Sequence, residues 1–107
     1  MGEQRRYERQ LERRDLARID REIMAAGRPD GLREREVELD VLPVTTPPQP
    51  WPVTAYVVYG PHHLRVDGWA TRWTEHAVDV TWPITEDLDG PRHRAWLWRG
   101  AVRPRRS

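Results

Sequence analysis

Four histidines and a run of carboxylates are the residues of this chain best suited to move protons or hold a metal. His62 and His63 are adjacent, His76 follows Glu75, and His93 stands between Arg92 and Arg94. A histidine-based zinc site wants a second pair at a spacing such as H-x₃₋₅-H, so that two side chains project to one point. No such pair is present, and these histidines read as solvated turn residues. Glu86, Asp87 and Asp89 in "EDLD" lack the alternating ligands and distal glutamate of a calcium loop. The chain has no Cys and no Lys, and its only Ser is Ser107, so the usual nucleophiles of covalent catalysis are missing. Neither a glycine-rich phosphate loop nor a dinucleotide fingerprint occurs. The expectation is a non-enzymatic protein without catalytic residues, metal or cofactor.

A second chemistry is suggested by "HRAWLWRGAVR" (93–103), where Trp96 and Trp98 are bracketed by Arg94 and Arg99. Single-strand nucleic-acid binders combine a cationic groove for the backbone with aromatic rings on which bases stack. Arg94, Arg99, Arg103, Arg105 and Arg106, with Trp73 as a partly exposed indole, form the candidate nucleic-acid-binding set. The arginines need discounting, however. Lys, Asn and Phe, all with AT-rich codons, are absent together, so a GC-rich gene explains why all 18 basic residues are Arg. No RNP, KH, zinc-finger or helix-turn-helix pattern is present.

Charge distribution says more than the net value of +1. Residues 1–28 hold eight Arg against six acids, residues 29–90 four against eleven, and residues 91–107 six against none. An acidic body with a basic end attracts polyanions at that end, or a complementary protein surface. The alternative function is therefore a protein-interaction or homodimer-forming module. It would use Tyr7, Leu11, Leu16, Ile19 and Ile23 of an N-terminal helix together with a sheet edge. "PPQP" contains a P-x-x-P pattern (Pro47 to Pro50), but no adjoining Arg or Lys orients it for docking, and it reads as a stiff connector.

These side chains need elements to hold them. Residues 3–26 have no Gly or Pro and are rich in Arg, Glu, Leu and Ala, which predicts a helix ending at Gly27 and Pro29. "REVELDVL" (35–42) alternates Val37, Leu39 and Val41 with acids, the period of a half-buried strand. Five prolines within 43–52 predict extended backbone that cannot donate to a ladder, pinned by Trp51. Further strands are predicted at 53–59, 64–73, 78–82 and 93–103, with a bulge or bend at Gly68. Pairing Trp73 with Val78 across the loop 74–77 sets Thr71 opposite Val80 and Trp69 opposite Trp82. The last strand is apolar on both faces, so it reads as central, with the helix stripe Leu16, Ile19 and Ile23 as its second cover.

The predicted fold is α+β: one N-terminal helix packed on a five-stranded, strongly curved antiparallel sheet, or a small SH3-like or OB-like barrel. Its 107 residues suit one domain: helix and cap over 1–28, a β domain over 35–103, and a basic tail over 104–107. Six tryptophans supply core area that the 37% hydrophobic content otherwise lacks. With no Cys, and no apolar run long enough for a membrane span or a signal peptide, the expected location is the cytoplasm.

Overall fold

A computed structural model describes residues 27–85 and 87–105. The helix expected over 3–26, with Tyr7, Leu11, Leu16, Ile19 and Ile23, lies outside the described residues, as does Arg106. The described chain forms a five-stranded antiparallel sheet with little helix. Its strands are β1 (Trp51–Tyr59), β2 (His62–Trp73), β3 (Ala77–Pro83), β4 (Arg92–Trp98) and β5 (Val102–Pro104), in the spatial order β4-β3-β2-β1-β5.

That order forces curvature. β4 and β5 are opposite edges, yet only the 3₁₀ turn Arg99–Ala101 separates them in the chain. A flat sheet would place its edges ~19 Å apart, four spacings of ~4.8 Å. A 3₁₀ turn advances only ~2 Å per residue, so the sheet must curl to bring its edges together. The gap that remains is bridged from outside. Asp30 N–H donates to Val58 O on β1 (2.7 Å), and Leu32 N–H donates to Trp96 O on β4 (2.8 Å). No ladder joins β4 to β5, so the sheet is curved but not closed.

Alternation explains the inner face. Val53, Ala55, Val57 and Tyr59 of β1 are buried, with Leu64 and Ala70 of β2, Val78, Val80 and Trp82 of β3, and Leu97 of β4. Gly68 is demanded by close approach rather than by its φ: a Cβ there would sit 2.3 Å from the Thr81 carbonyl oxygen. The hairpin register holds at its tip, where Trp73 pairs with Val78 and Arg72 with Asp79. Beyond it a bulge between Ala70 and Arg72 shifts the pairing. Ala70, not Thr71, faces Val80, and Trp69 pairs with Thr81, not Trp82. Because a bulge sets two residues against one, it moves Trp69 to the face opposite Trp73.

Two predicted strands are corrected. Residues 35–42 do not join the sheet. Glu34–Val37 form one helical turn, α1, closed by Glu38 in the left-handed conformation (φ 59°, ψ 44°). Arg33 N–H donates to Glu36 Oε1 at 3.0 Å, and the Glu38 carbonyl accepts from Val41 and Leu42. This local bonding takes the backbone groups a strand would have offered, and it leaves Val41 exposed. The strand expected over 93–103 is split into β4, the 3₁₀ turn and β5, since it must cross from one sheet edge to the other. β4 is nonetheless covered on both faces at its centre. Leu97 enters the main core, while Trp96 packs with Val37 and Ala77, flanked by Leu32 and Leu39. Among the described residues the second cover is thus the segment around α1. The sheet spans 51–104 rather than 35–103, and the tail begins inside the fold, with Arg105 N–H bonded to Pro52 O at 3.0 Å.

The proline-rich connector touches the sheet at Thr45, which exchanges two backbone hydrogen bonds with Trp73 (2.8 and 2.9 Å). Trp51 packs on Trp73 with ring centroids 5.1 Å apart, and is itself 55% exposed. Among the described residues no helix is long and apolar enough to cross a membrane.

Candidate functional site

The outer, convex face of the sheet gathers most of the chemistry. Its members follow from the ladders: Thr54 pairs with both Asp67 and Arg103, Trp69 with Thr81, and Thr81 with Arg94. In β4 the same face takes every second residue, namely Arg92, Arg94, Trp96 and Trp98. Arg72 joins it after the bulge, and Arg105 reaches it from beyond β5.

Its centre is Asp79, 1% exposed. Arg94 donates through Nε to both carboxylate oxygens at 2.9 Å and through Nη2 to Oδ2. Arg72 donates through Nε to Oδ2 at 2.9 Å, and its guanidinium lies 5.0 Å from the Trp96 ring centre. Arg94 Nη2 also reaches Thr71 Oγ1 at 3.4 Å, and Thr71 Oγ1 donates to the Asp79 carbonyl. A buried carboxylate is tolerated only when its charge and lone pairs are met, and here two arginines do so. The hydrogen bonds to Asp79 raise the Arg94 pKa, outweighing the opposing effect of burial. Two cations share one anion, so the cluster keeps a surplus positive charge.

A second cluster is built on Trp69. Arg92 approaches its ring from the β4 side at 4.9 Å, and Arg105 from the β5 side at 5.8 Å. Arg92 is tied to the Leu88 carbonyl (2.9 Å), and Arg105 to the Gly68 carbonyl (3.3 Å) with Asp67 at 4.0 Å. Such cation–π pairs hold the guanidinium groups flat against the sheet.

The sequence-derived set is therefore divided. Arg94, Arg103 and Arg105 share this face, whereas Trp73 packs against the inner core. Arg99 sits in the 3₁₀ turn near the β2–β3 loop, its backbone N–H bonded to His76 O at 2.8 Å. Sequence reasoning misses Arg72, Arg92, Trp69 and Asp79. The shared face of Arg72 and Asp79 is readable from the hairpin pattern, but the placement of Trp69 depends on a bulge that alternation cannot reveal.

At the end of the sheet where β1 turns into β2, Trp82 Nε1–H donates to Tyr59 Oη at 2.8 Å. Tyr59 Oη in turn lies within hydrogen-bond distance of His93 Nδ1, at 2.8 Å. Burial lowers the His93 pKa. His62 and His63 pair with Tyr59 and Val58 at the turn, and His76 Nε2 lies 3.3 Å from Glu75 Oε1. Among the described residues no three His, Asp or Glu side chains converge as a metal site would need.

A cleft of about 410 Å³ opens beside the Asp79 cluster. It is lined by Arg72, Arg94, Asp79 and Trp96 together with Gly31 and Leu32 of the segment bridging the sheet edges. Comparison with protein families, curated proteins and solved structures gives no significant match.

Proposed function

We propose that this chain is a small non-enzymatic binding module that holds nucleic acid against the outer face of its sheet. The observation that carries the reading is the gathering of Arg72, Arg92, Arg94, Arg103 and Arg105 on one face, where Asp67 and Asp79 are the only acids among the described strand residues, in a chain of net charge +1. A surface of that kind attracts phosphates, and counterion release makes such binding strongly salt-dependent. Trp98, 52% exposed at the end of the β4 row, offers the indole on which a base can stack. Trp69 instead carries two arginines. The curl and the simple β1–β4 meander suit a small SH3-like barrel better than the Greek-key OB fold, although architecture alone assigns no function.

The competing reading is assembly through the N-terminal helix and a sheet edge. Strand addition needs free backbone groups, and Leu32 already occupies Trp96 O on the edge strand β4 while Asp30 occupies Val58 O on β1 beyond the stretch that β5 pairs. Titration of labelled single- and double-stranded oligonucleotides at low and physiological salt tests the proposal. Binding that falls steeply with salt and quenches tryptophan fluorescence on single strands supports it. No binding at ~50 mM salt refutes it.

A further inference from the structure

We infer that the cleft beside Asp79 is a binding site for the phosphate of a phosphomonoester. Asp79 lines the cleft but is only 1% exposed, and its oxygens are already met by three guanidinium nitrogens. What the cleft offers a visitor is therefore donors. Arg72 spends only Nε on Asp79, and its two terminal nitrogens have no partner among the described residues. Arg94 spends Nε and Nη2, which leaves Nη1. Asp79 neutralises one of the two cations and fixes both planes, and Trp96 supports the Arg72 plane from beneath. Guanidinium groups held in place in this way lose little freedom on meeting an oxyanion. A phosphate dianion meets the open guanidinium nitrogens of Arg72 and Arg94 and the surplus charge, beside an Asp79 whose oxygens those arginines already engage.

The space is larger than a phosphate alone requires. At about 410 Å³ the cleft falls within the size range of small-ligand pockets, and Leu32, Gly31 and Ala95 give its lining an apolar part. The organic part of a monoester fits there. The inference does not depend on the polymer reading. The face can hold a nucleic-acid backbone by charge while the cleft stays empty, and the cleft can take a free monoester when no polymer binds.

The test is an NMR titration of the full chain with inorganic phosphate, then a nucleoside monophosphate, then matched 5′-phosphorylated and 5′-hydroxyl oligonucleotides. The Nε–H signals of Arg72 and Arg94 and the indole N–H of Trp96 are followed. Saturable shifts at these three groups with the monophosphate, and affinity about tenfold weaker in Arg72→Gln, which loses a charged hydrogen-bond donor, are the expected result. Arg72→Gln keeps the Arg94–Asp79 contact, so the surviving Arg94 signal reports that the variant is folded. A preference for the 5′-phosphorylated strand would assign the monoester to a nucleic-acid end, and binding of the mononucleotide alone would assign it to a free metabolite. Absence of saturable shifts up to ~10 mM, or shifts unchanged in Arg72→Gln, overturns the inference.

Discussion

Arg94 and Asp79, on neighbouring strands, meet with the guanidinium Nε 2.9 Å from both carboxylate oxygens. The carboxylate is buried while the arginine side chain is 56% exposed. The two arginines on Asp79 are therefore unequal: removing Arg94 takes three hydrogen bonds from a buried charge, whereas removing Arg72 takes one. Arg94→Ala should destabilise the fold by ~2–3 kcal/mol, and Arg72→Ala by less, because Arg72 gives Asp79 a single bond. Urea denaturation of both variants checks the order. Equal costs would show that Arg94 does not hold Asp79.

Gly68 should tolerate no side chain. A Cβ would lie 2.3 Å from the Thr81 carbonyl oxygen and 3.0 Å from Trp82 Cβ, and neither the backbone nor a buried indole can yield cheaply. Gly68→Ala is predicted to cost ~3 kcal/mol or more, at or above the upper end of ordinary overpacking. A melting temperature unchanged from the parent protein would contradict this close packing of β2 on β3.

Acid should weaken the fold through His93. Burial lowers its pKa, so near pH 6 the folded chain holds this imidazole less protonated than the unfolded chain does. Stability is then full above about pH 6.5 and declines as pH falls below it, levelling off once the lowered pKa is passed. Melting temperatures between pH 7.5 and 5 should fall in the parent, and less in His93→Gln. Identical profiles would show that His93 is not the source of acid sensitivity.

Val37→Ala should loosen the cover over Trp96. Val37 is 1% exposed and packs with Ala77 and Trp96 outside the main core. Losing two methyl groups there should cost ~1–2.5 kcal/mol. The emission of Trp96, measured with the other tryptophans replaced by Phe where exposed, should shift to the red. An unchanged spectrum would mean that the segment around α1 does not shield the indole.

The parts of this fold legible in the sequence are those set by local alternation. The tip of the β2–β3 hairpin, the buried row of β1 and the two-sided cover of β4 each follow from side-chain period. Alternation misleads at Val37, Leu39 and Val41, where single-residue spacing of apolar and acidic groups also fits one helical turn followed by a left-handed residue. The candidate site is half visible. Charge alone points to Arg94, Arg103 and Arg105, but alternation sets their neighbour Trp69 on the wrong face, because one extra residue at the bulge inverts everything beyond it. Asp79 carries no sign of its burial, since a carboxylate in an alternating strand ordinarily faces water.

The proposed binding belongs to the outer sheet face, rather than to cationic charge in general. Two double variants of equal charge change separate these possibilities: Arg103→Gln with Arg92→Gln on the face, and Arg33→Gln with Arg35→Gln beside α1. Affinity for a single-stranded oligonucleotide is measured across a series of salt concentrations. The face variant should weaken binding and flatten the slope of log K against log salt by ~1–2, while the α1 variant should leave the slope of the parent. Equal slopes in the two variants, or no binding by the parent, would contradict a nucleic-acid site on this face.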